Sequence, residues 1–322
     1  MNTVAAIEPR HAAGQRLRER FFRGATLAAA IVVLALLGGV ILTLVKGAWP
    51  VFSHFGLTFL TQEVWNPVTD KYGALAPIYG TLVTSLLAMV FAIPVSLGIA
   101  IFLTELAPPW MKRPVGVAIE LLAAVPSIIF GIWGLFVVAP IFQRHVQPFL
   151  IDVLGPLPVI GKLFQGPPFG IGVLTASFVL AIMVLPFISA VVRDVFETVP
   201  EVLKESAYGL GATTWEVIWK VVLPHTRTGV VGGVMLGLGR ALGETMAVTF
   251  VIGNAHRISA SILAPGTTIS ASIANEYTEA VGDLYTSALV GLGAILFLIT
   301  FSVIAFARFM LLRLERRALS SV

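Results

Sequence analysis

The sequence has 322 residues, of which 57% are hydrophobic and only 12% are charged, and its mean hydropathy is +0.94. A water-soluble globular protein carries roughly 25% charged residues, so the composition excludes a soluble protein and predicts a surface that mostly faces lipid. The absence of cysteine excludes disulfides, thiolate metal sites and cysteine nucleophiles. The net charge of +4 does not indicate nucleic-acid binding, because the basic residues cluster in segments that suit one side of a membrane.

Six stretches are long and apolar enough to cross a bilayer, which takes about 20 helical residues. The first is too long for a cleaved signal peptide, whose apolar run is about 7–15 residues, so we expect a retained helix. The sequence therefore predicts an all-α integral membrane protein with six transmembrane helices. The stretches are residues 24–45, a part of 73–104, 121–143, a part of 163–192, 228–251 and 284–307.

The basic residues predict the orientation of these helices. With the N-terminus inside, fifteen Lys and Arg residues fall on the cytoplasmic side and five on the opposite side, while Arg240 lies within the membrane. Arg308 is counted among the four cytoplasmic basic residues that follow the sixth stretch. Since cytoplasmic loops are enriched in Lys and Arg, both termini are expected in the cytoplasm.

The three outer loops have distinct compositions, but solvated connection is the favoured interpretation of each. One is rich in proline and one is acidic. The loop after the first helix is aromatic, which is typical of side chains at headgroup depth. These aromatic residues are Trp49, Phe52, Phe55, Phe59 and Trp65.

The inner loop, residues 193–227, is predicted to form two short amphipathic helices. Thr198 and Glu201 have the spacing of a capping box around Pro200, and a glycine at 209 or 211 would end the first helix. The second helix is expected over residues 214–222, and Pro224 should stop or bend it. The apolar sides consist of Val202, Leu203, Ala207 and Leu210, and of Trp215, Ile218, Trp219 and Val222.

These apolar sides need burial, and the residues alone leave two solutions equally open. They could enter a groove on a cytosolic partner. They could equally lie on the bilayer or pack beneath the protein's own helices.

The spacing within this loop resembles the EAA loop of ABC importer permeases. Glu205-Ser206-Ala207 is followed by three residues, Gly211, nine residues and then Val221-Val222-Leu223-Pro224. The family pattern is EAA, three residues, G, nine residues, then I, any residue, L and P. Ser206 and Val221 are mild departures.

The resemblance implies a type I importer permease with a MetI-like core, a peripheral first helix and a coupling helix that docks on an ATPase subunit. It assigns that coupling to Glu205, Ser206, Ala207, Gly211, Leu223 and Pro224.

No ATP-binding loop is evident in the sequence. The nearest candidate has five residues between Gly155 and Gly161, and Leu163 follows Lys162. A phosphate-binding loop needs four residues between the glycines and Ser or Thr after the Lys. We therefore expect no enzyme activity and no cofactor or metal in this chain, with ATP and Mg²⁺ bound by a partner ATPase.

The fifth stretch contains two charged residues, Arg240 and Glu244. Each costs about 2.5–3.5 kcal/mol at the centre of a membrane helix, and their spacing would place them on one helix face. They could form a structural ion pair, or they could line a polar pathway in which the Arg attracts an anion. Glycines at 229, 233 and 237, and at 239 and 243, are expected to pack against other helices. Pro94, Pro126 and Pro186 are expected to kink the helices that contain them.

Two segments resemble the PstC family of phosphate-importer permeases. Residues 239–250 read GRALGETMAVTF, and residues 125–131 read VPSIIFG, a segment that PstC shares with its sister family PstA. After Gly-Glu-Thr, PstA usually has Ala-Pro-Leu, so Met246-Ala247-Val248 favours PstC. The resemblance implies that Arg240 and Glu244 serve phosphate passage. It also implies a bacterial inner-membrane location, a PstA-like second permease, a PstB-like ATPase dimer and a PstS-like periplasmic phosphate-binding protein.

The expected domain limits follow these assignments. They are a cytoplasmic N-terminal segment (1–23), the first helix with its outer loop (24–72), the permease domain (73–311) containing the coupling loop (193–227), and a cytoplasmic tail (312–322).

Several alternatives stay open at this stage. Within the class, the substrate could be sulfate, molybdate or phosphonate, or the chain could be the PstA-like partner. An ion-coupled secondary transporter would also explain membrane charges, but it usually has a second, related half, and no internal repeat is evident. A membrane sensor or scaffold would use the inner loop without transport.

Overall fold

The computed structural model describes the backbone of residues 9–319 and the side chains of residues 18–313. The predicted N-terminal segment and C-terminal tail therefore lie partly outside the described residues. Within the described backbone the chain is helical, with no β-strand and one isolated bridge between Asn66 and Lys71. Helices satisfy their own backbone hydrogen bonds, which is why they can cross a lipid bilayer.

Six of the described helices are long and apolar enough to cross a membrane, as the sequence predicted. We call them spans 1 to 6: Arg18–Phe55, Leu75–Leu106, Ser127–Leu154, Val173–Glu197, Thr214–Leu242 and Asp283–Arg313. The helix of span 1 begins at Pro9 and that of span 6 continues to Leu319. Shorter helices occupy Thr58–Thr61, Pro109–Ala124, Ile160–Phe164, Glu201–Gly209, Met246–Thr249 and Ile269–Glu276.

Span 4 is the centre of the bundle, and span 1 is its periphery. In the most apolar window of each helix, 67% of span 4 is buried and 0% of span 1. Span 4 packs mainly against spans 2 and 5, whereas span 1 packs against span 6. There the Val51 backbone N–H donates to Ser287 Oγ at 3.0 Å. The peripheral position that the resemblance implied for the first helix is thus the one observed.

Glycines at four-residue spacing bring span 5 close to span 4. A Cβ added at Gly237 would lie 2.5 Å from Ile188 Cγ1, and one at Gly233 would lie 3.1 Å from Val191 Cγ1. A Cβ at Gly229 would collide with Val195. The packing predicted for this stripe is confirmed, because any larger residue would force the two helices apart.

Four π-helical segments of the described chain each end two residues before a proline. Proline has no N–H, and its ring collides with the carbonyl one turn earlier. The wider π turn gives the ring room at Pro140, Pro148 and Pro224, where the helix continues, whereas the helix before Pro108 ends at Leu106. The helix that begins at Thr214 continues past Pro224, so of the predicted stop or bend at this residue the stop does not occur. The segments are Phe102–Leu106 before Pro108, Gly134–Val138 before Pro140, Phe142–Val146 before Pro148, and Ile218–Val222 before Pro224.

Span 3 does not begin where the apolar stretch begins. Val125 and Pro126 have extended backbones, with ψ of 128° and 137°, so a helix ends at Ala124 and the next begins at Ser127. A residue before proline is driven out of the helical region, which explains a break where only a kink was predicted. Pro94 and Pro186, in contrast, lie inside the continuous helices of spans 2 and 4.

Most of the aromatic residues that were expected in a solvated interfacial loop after the first helix form a packed cluster instead, and Phe52 and Phe55 belong to span 1 itself. Phe59 is fully buried, and its ring meets that of Phe52 edge to face at 5.5 Å. Trp65 contacts Tyr72 in the same geometry at 5.2 Å. Burial and the neighbouring Asp70 carboxylate raise the pKa of Tyr72 to about 12. Trp49, at 69% exposure, does lie outside the cluster.

Candidate functional site

The membrane helix that carries Arg240 ends sooner than the sequence predicted. Span 5 stops at Leu242 rather than at residue 251, and a separate helix covers Met246–Thr249. Glu244 lies in the break, is 9% exposed, and accepts a hydrogen bond from the Ala247 N–H at 3.2 Å. Gly243 favours the break because glycine is a poor helix former. The predicted placement of both charges on one helix face is therefore wrong, and no ion pair joins them.

A groove between spans 5 and 6 nevertheless brings Arg240 and Glu244 together. Its volume is about 820 Å³, and its walls are mostly apolar. The groove thus presents a few charged groups inside a membrane-spanning bundle. It is lined by Phe187, Gly232, Met235, Leu236, Gly239, Arg240, Gly243, Glu244, Ile304, Ala307, Arg308 and Leu311.

Arg240 lies near the middle of the bundle and is accessible from the groove. Its guanidinium carbon is 4.2 Å from the ring centroid of Phe187, a residue near the middle of span 4. A cation above an aromatic face is stabilised by the ring quadrupole. Among residues 18–313 no carboxylate forms an ion pair with Arg240. The structure thus leaves this guanidinium available to an anion.

Small residues keep the groove open. A Cβ at Gly232 would meet nothing within 4 Å, and one at Gly239 would first meet Ile304 Cδ1 at 3.7 Å. Gly243 is similarly unobstructed, with its own helix's carbonyl 3.8 Å away as the nearest atom. The close helix packing predicted for the 239/243 stripe is therefore wrong at Gly243. These glycines provide space rather than contact.

Among the groove residues that the sequence did not identify, Arg308 and Phe187 bear on the chemistry of the groove. Arg308 was counted with the cytoplasmic basic residues after the last helix, but span 6 continues past it and its side chain lines the groove. It stands one residue beyond the predicted end of the last helix, so a slightly longer helix would have included it. Phe187 gave no signal, because an aromatic residue in a membrane helix is ordinary.

The two segments that carry the PstC resemblance touch each other. A Cβ at Gly131 would lie 2.8 Å from both the carbonyl oxygen of Met246 and Cδ2 of Phe250. The helix that begins at Ser127 therefore packs directly on the segment that follows the break in span 5. Only glycine fits at this contact.

The first inner helix covers Glu201–Gly209, and Gly211 follows its end with a φ of +87°. The Gly211 N–H donates to Tyr208 O and the Ala212 N–H to Ala207 O, which is a Schellman motif. The predicted ending is confirmed, and the positive φ explains why glycine stands at 211.

The capping box lies on the second inner helix instead of the first. The N-cap of the first helix is Pro200, and Thr198 Oγ1 donates to Val195 O. Thr213 and Glu216 form the reciprocal pair that begins the second helix. The predicted Thr198–Glu201 box is wrong, because residues 196–198 still belong to the end of span 4.

A buried ion pair fixes the first inner helix to the bundle. Lys204 Nζ lies 2.8 Å from Glu105 Oε1 at the C-terminal end of span 2, and both side chains are less than a tenth exposed. Removing one partner of a buried pair is strongly destabilising. The helix is thus held in one position beneath the membrane part.

The inner loop buries one side and leaves an apolar surface open. Ile218 and Val222 are buried in the bundle's own core, and Ala207 and Leu223 are partly buried. Glu205, Ser206, Gly211 and Pro224 are exposed. We call the exposed apolar residues the inner apolar surface: Val202, Leu203, Tyr208, Leu210, Trp215 and Trp219. Ser206 in place of alanine is accommodated because its hydroxyl donates to Val202 O.

Within the described residues, no group of three or more His, Asp or Glu side chains is placed to hold a metal ion. The polar chemistry of the groove consists of guanidinium groups, one carboxyl group and backbone.

The comparison with known families matches this architecture. Residues 92–319 match the family described as binding-protein-dependent transport system inner membrane component, and the chain belongs to that family of ABC importer permeases. Within it, the chain belongs to the PstC family. It is 64% identical, over 94% of its length and 92% of the relative's, to the phosphate transport system permease protein PstC of Mesorhizobium japonicum. It is 61% identical to that of Pasteurella multocida, over 93% of each chain.

Solved structures support the same fold. A chain of the bacterial alginate ABC transporter crystal structure is similar with a TM-score of 0.62 at 19% identity, over 94% of this chain and 97% of that one. A chain of the inward-facing MetNI methionine ABC transporter has a TM-score of 0.51 at 19% identity, over 76% and 98%. The predicted MetI-like permease fold, a multi-pass membrane protein, is confirmed.

Proposed function

We propose that the chain is the permease subunit of an ATP-driven importer and that inorganic phosphate crosses the membrane along the groove that holds Arg240 and Glu244. The observation that carries this proposal is an accessible arginine without an acidic partner among the described residues, at mid-depth, beside a broken helix. The relatives' names supply the substrate, and the guanidinium supplies the chemistry, because its planar N–H groups bind phosphate oxygens in pairs.

The break in span 5 supports a polar pathway at this depth. Non-helical backbone within a membrane is tolerated only where protein buries it or a water-filled cavity receives it. Transport proteins place substrates at such interrupted helices. Gly243 and Glu244 line the groove where the helix ends, so their polar groups have water or substrate as partners.

The groove also argues for a second permease subunit. Arg240 is exposed in the isolated chain, and a guanidinium facing hydrocarbon at mid-depth costs about 2.5–3.5 kcal/mol or more. Protein must therefore cover the groove. A PstA-like permease is the partner that we propose, with a PstS-like binding protein delivering phosphate from the outer side of the inner membrane.

Energy enters from a separate ATPase dimer of the PstB type, with its own ATP and Mg²⁺, at the inner apolar surface. Leu210, at 90% exposure, and Trp215, at 64%, form an apolar surface that suits a groove on a cytosolic protein. Gly211 shapes the end of the docking helix, Glu205 and Ser206 lie exposed on it, and Ala207, Leu223 and Pro224 connect it to span 5. In this proposal the partner ATPase, and not this chain, hydrolyses ATP.

The test is phosphate uptake by the assembled importer in proteoliposomes, with Arg240→Gln as the variant. Charge-assisted hydrogen bonds contribute about 1.5–3 kcal/mol, so we expect uptake to fall by at least about tenfold while the complex still assembles. Arg313→Gln, which changes an exposed arginine of span 6 outside both the groove and the coupling loop, serves as the control and should transport normally. Normal uptake by the Arg240 variant would contradict the pathway.

The same vesicles test the alternatives. Phosphate uptake should require ATP and should be competed by phosphate rather than by sulfate, molybdate or phosphonate. Uptake in the absence of the ATPase, driven by an ion gradient alone, would overturn the proposed function.

A further inference from the structure

We propose that Arg308 forms a second anion-binding position in the groove, one helical turn nearer the cytoplasm than Arg240, from which phosphate is released inward. This inference rests on the proposed function. Arg308 was counted with the cytoplasmic basic residues after the last helix, but its side chain lines the same groove as Arg240 and Glu244 although it lies on a different helix.

The facing residues of spans 5 and 6 give the relative depth of the two arginines. Gly239 faces Ile304, since a Cβ added to the glycine would lie 3.7 Å from Ile304 Cδ1. Arg240 follows Gly239, and Arg308 is four residues after Ile304, or about 6 Å along the helix. With the C-terminus in the cytoplasm, Arg308 lies on the inner side of Arg240.

The groove is long enough for two positions. Along span 5 it extends from Glu244, just past the end of the helix, to Gly232, a stretch of 12 residues or about 18 Å. Gly232 leaves the wall open at the inner end, because an added Cβ would meet nothing within 4 Å there. Conduction by several weak positions lets an ion enter and still leave.

The alternative to an anion-binding role is that Arg308 only anchors span 6 at the inner headgroups, as basic residues at helix ends do. The neighbouring Arg313 shows what such a residue looks like. Its guanidinium stacks on Phe309 of its own helix, 4.4 Å from the ring centroid, and it does not line the groove. Arg313 is therefore a matched control for Arg308.

The first measurement is the maximal rate of phosphate uptake, normalised to the amount of assembled importer. Because a charge-assisted contact is lost, Arg308→Gln should lower this rate about tenfold. Arg308→Lys, which keeps the charge, should recover a large part of the rate, and Arg313→Gln should transport like the unchanged protein. If Arg308→Gln transports as fast as Arg313→Gln, the inference is overturned.

A second measurement needs no transport. The chain has no cysteine, so Leu311→Cys supplies a single thiol in the wall of the groove. An anionic methanethiosulfonate reagent should modify it faster, relative to a cationic one, when Arg308 is present, because a local positive charge concentrates anions. The ratio should fall several-fold with Arg308→Gln and stay constant with Arg313→Gln; an unchanged ratio overturns the inference.

The experiments distinguish failure of the proposed function from failure of the second anion-binding position. If the unchanged importer takes up no phosphate, the proposed function fails whatever Arg308 does. If the unchanged importer works and the Arg308 variants also work, only the second position is lost.

Discussion

Glu276 joins three separate segments of the face opposite the inner loop, which the basic residues predict to be the outer face. Its Oε2 accepts hydrogen bonds from Trp65 Nε1 and Tyr285 Oη, both at 2.7 Å, and its Oε1 accepts one from His256 Nε2 at 2.7 Å. Burial raises the pKa of Glu276, but these hydrogen bonds and the nearby imidazole outweigh burial and hold its pKa below the usual value. The ionised carboxylate therefore stabilises the folded outer face.

We expect Glu276→Gln to lower the unfolding temperature, because an amide cannot accept all three hydrogen bonds and a buried donor left unpaired costs about 1–3 kcal/mol. Since folding lowers the Glu276 pKa, its contribution is full at neutral pH and disappears as the pH falls below about 4. Thermal unfolding in detergent at pH 7 and at stepwise lower pH measures both effects.

Glu279→Gln is the control, since Glu279 is exposed on the same loop. Equal unfolding temperatures for the Glu276 and Glu279 variants at pH 7 would show that the carboxylate stabilises nothing. A difference that persists unchanged at pH 3 would show that ionisation is not its cause.

At the residue scale, the charged members of the groove were only partly predictable. Arg240 and Glu244 stood out because charges are rare in apolar stretches. Their joint presence in one groove, although not on one helix, depends on the break after Leu242 and on the approach of span 6. Arg308 was placed outside the membrane, after the last helix, because hydropathy cannot say on which side of an arginine a membrane helix ends.

At the scale of elements, residues 200–224 combine local sequence signals with contacts that the sequence does not reveal. Gly211 marked the end of the first inner helix correctly, because only a positive φ allows the chain to turn there. The cap was misplaced, because span 4 continues to Glu197 and uses Thr198 at its own end. The Lys204–Glu105 pair joins residues far apart in the sequence, so no local pattern could indicate it.

Gly211→Ala should weaken ATPase binding about tenfold. A left-handed conformation costs a non-glycine residue roughly 1–2 kcal/mol, so the substitution should shift the first inner helix, which is the proposed docking helix. Gly209→Ala is the matched control. Gly209 is equally exposed and open, but it has a helical conformation in which alanine is favoured. Binding of purified ATPase to the permease pair measures the difference; equal affinities for the two variants would rule out a role for the turn in docking.

At the scale of the whole molecule, the number of spans followed from hydropathy, whereas the irregular parts did not. Apolar length predicted six helices because a bilayer sets that length. Prolines were a weaker guide, since Pro126 ends a helix while Pro140 and Pro224 sit after widened turns in helices that continue. The aromatic loop after span 1 is packed rather than solvated, because Trp65 contacts the rings of Tyr72 and Tyr285, which stack on each other.

The orientation predicted from the basic residues can be measured with single cysteines in this cysteine-free chain. We expect an impermeant maleimide to label Val68→Cys, at 92% exposure, in intact spheroplasts. Trp110→Cys, at 75% exposure on the opposite side, should be labelled only after permeabilisation. The reverse pattern would mean that both termini face outward.

The widened turn before Pro224 has a mechanical consequence. Because it lets residues 214–242 form one uninterrupted helix, Trp215 and Arg240 are opposite ends of a single rod about 37 Å long. In the proposed importer, a tilt of the Trp215 end by the ATPase would therefore move the Arg240 guanidinium as part of the same helix. Nucleotide binding and access to the groove would then be linked through one rigid element.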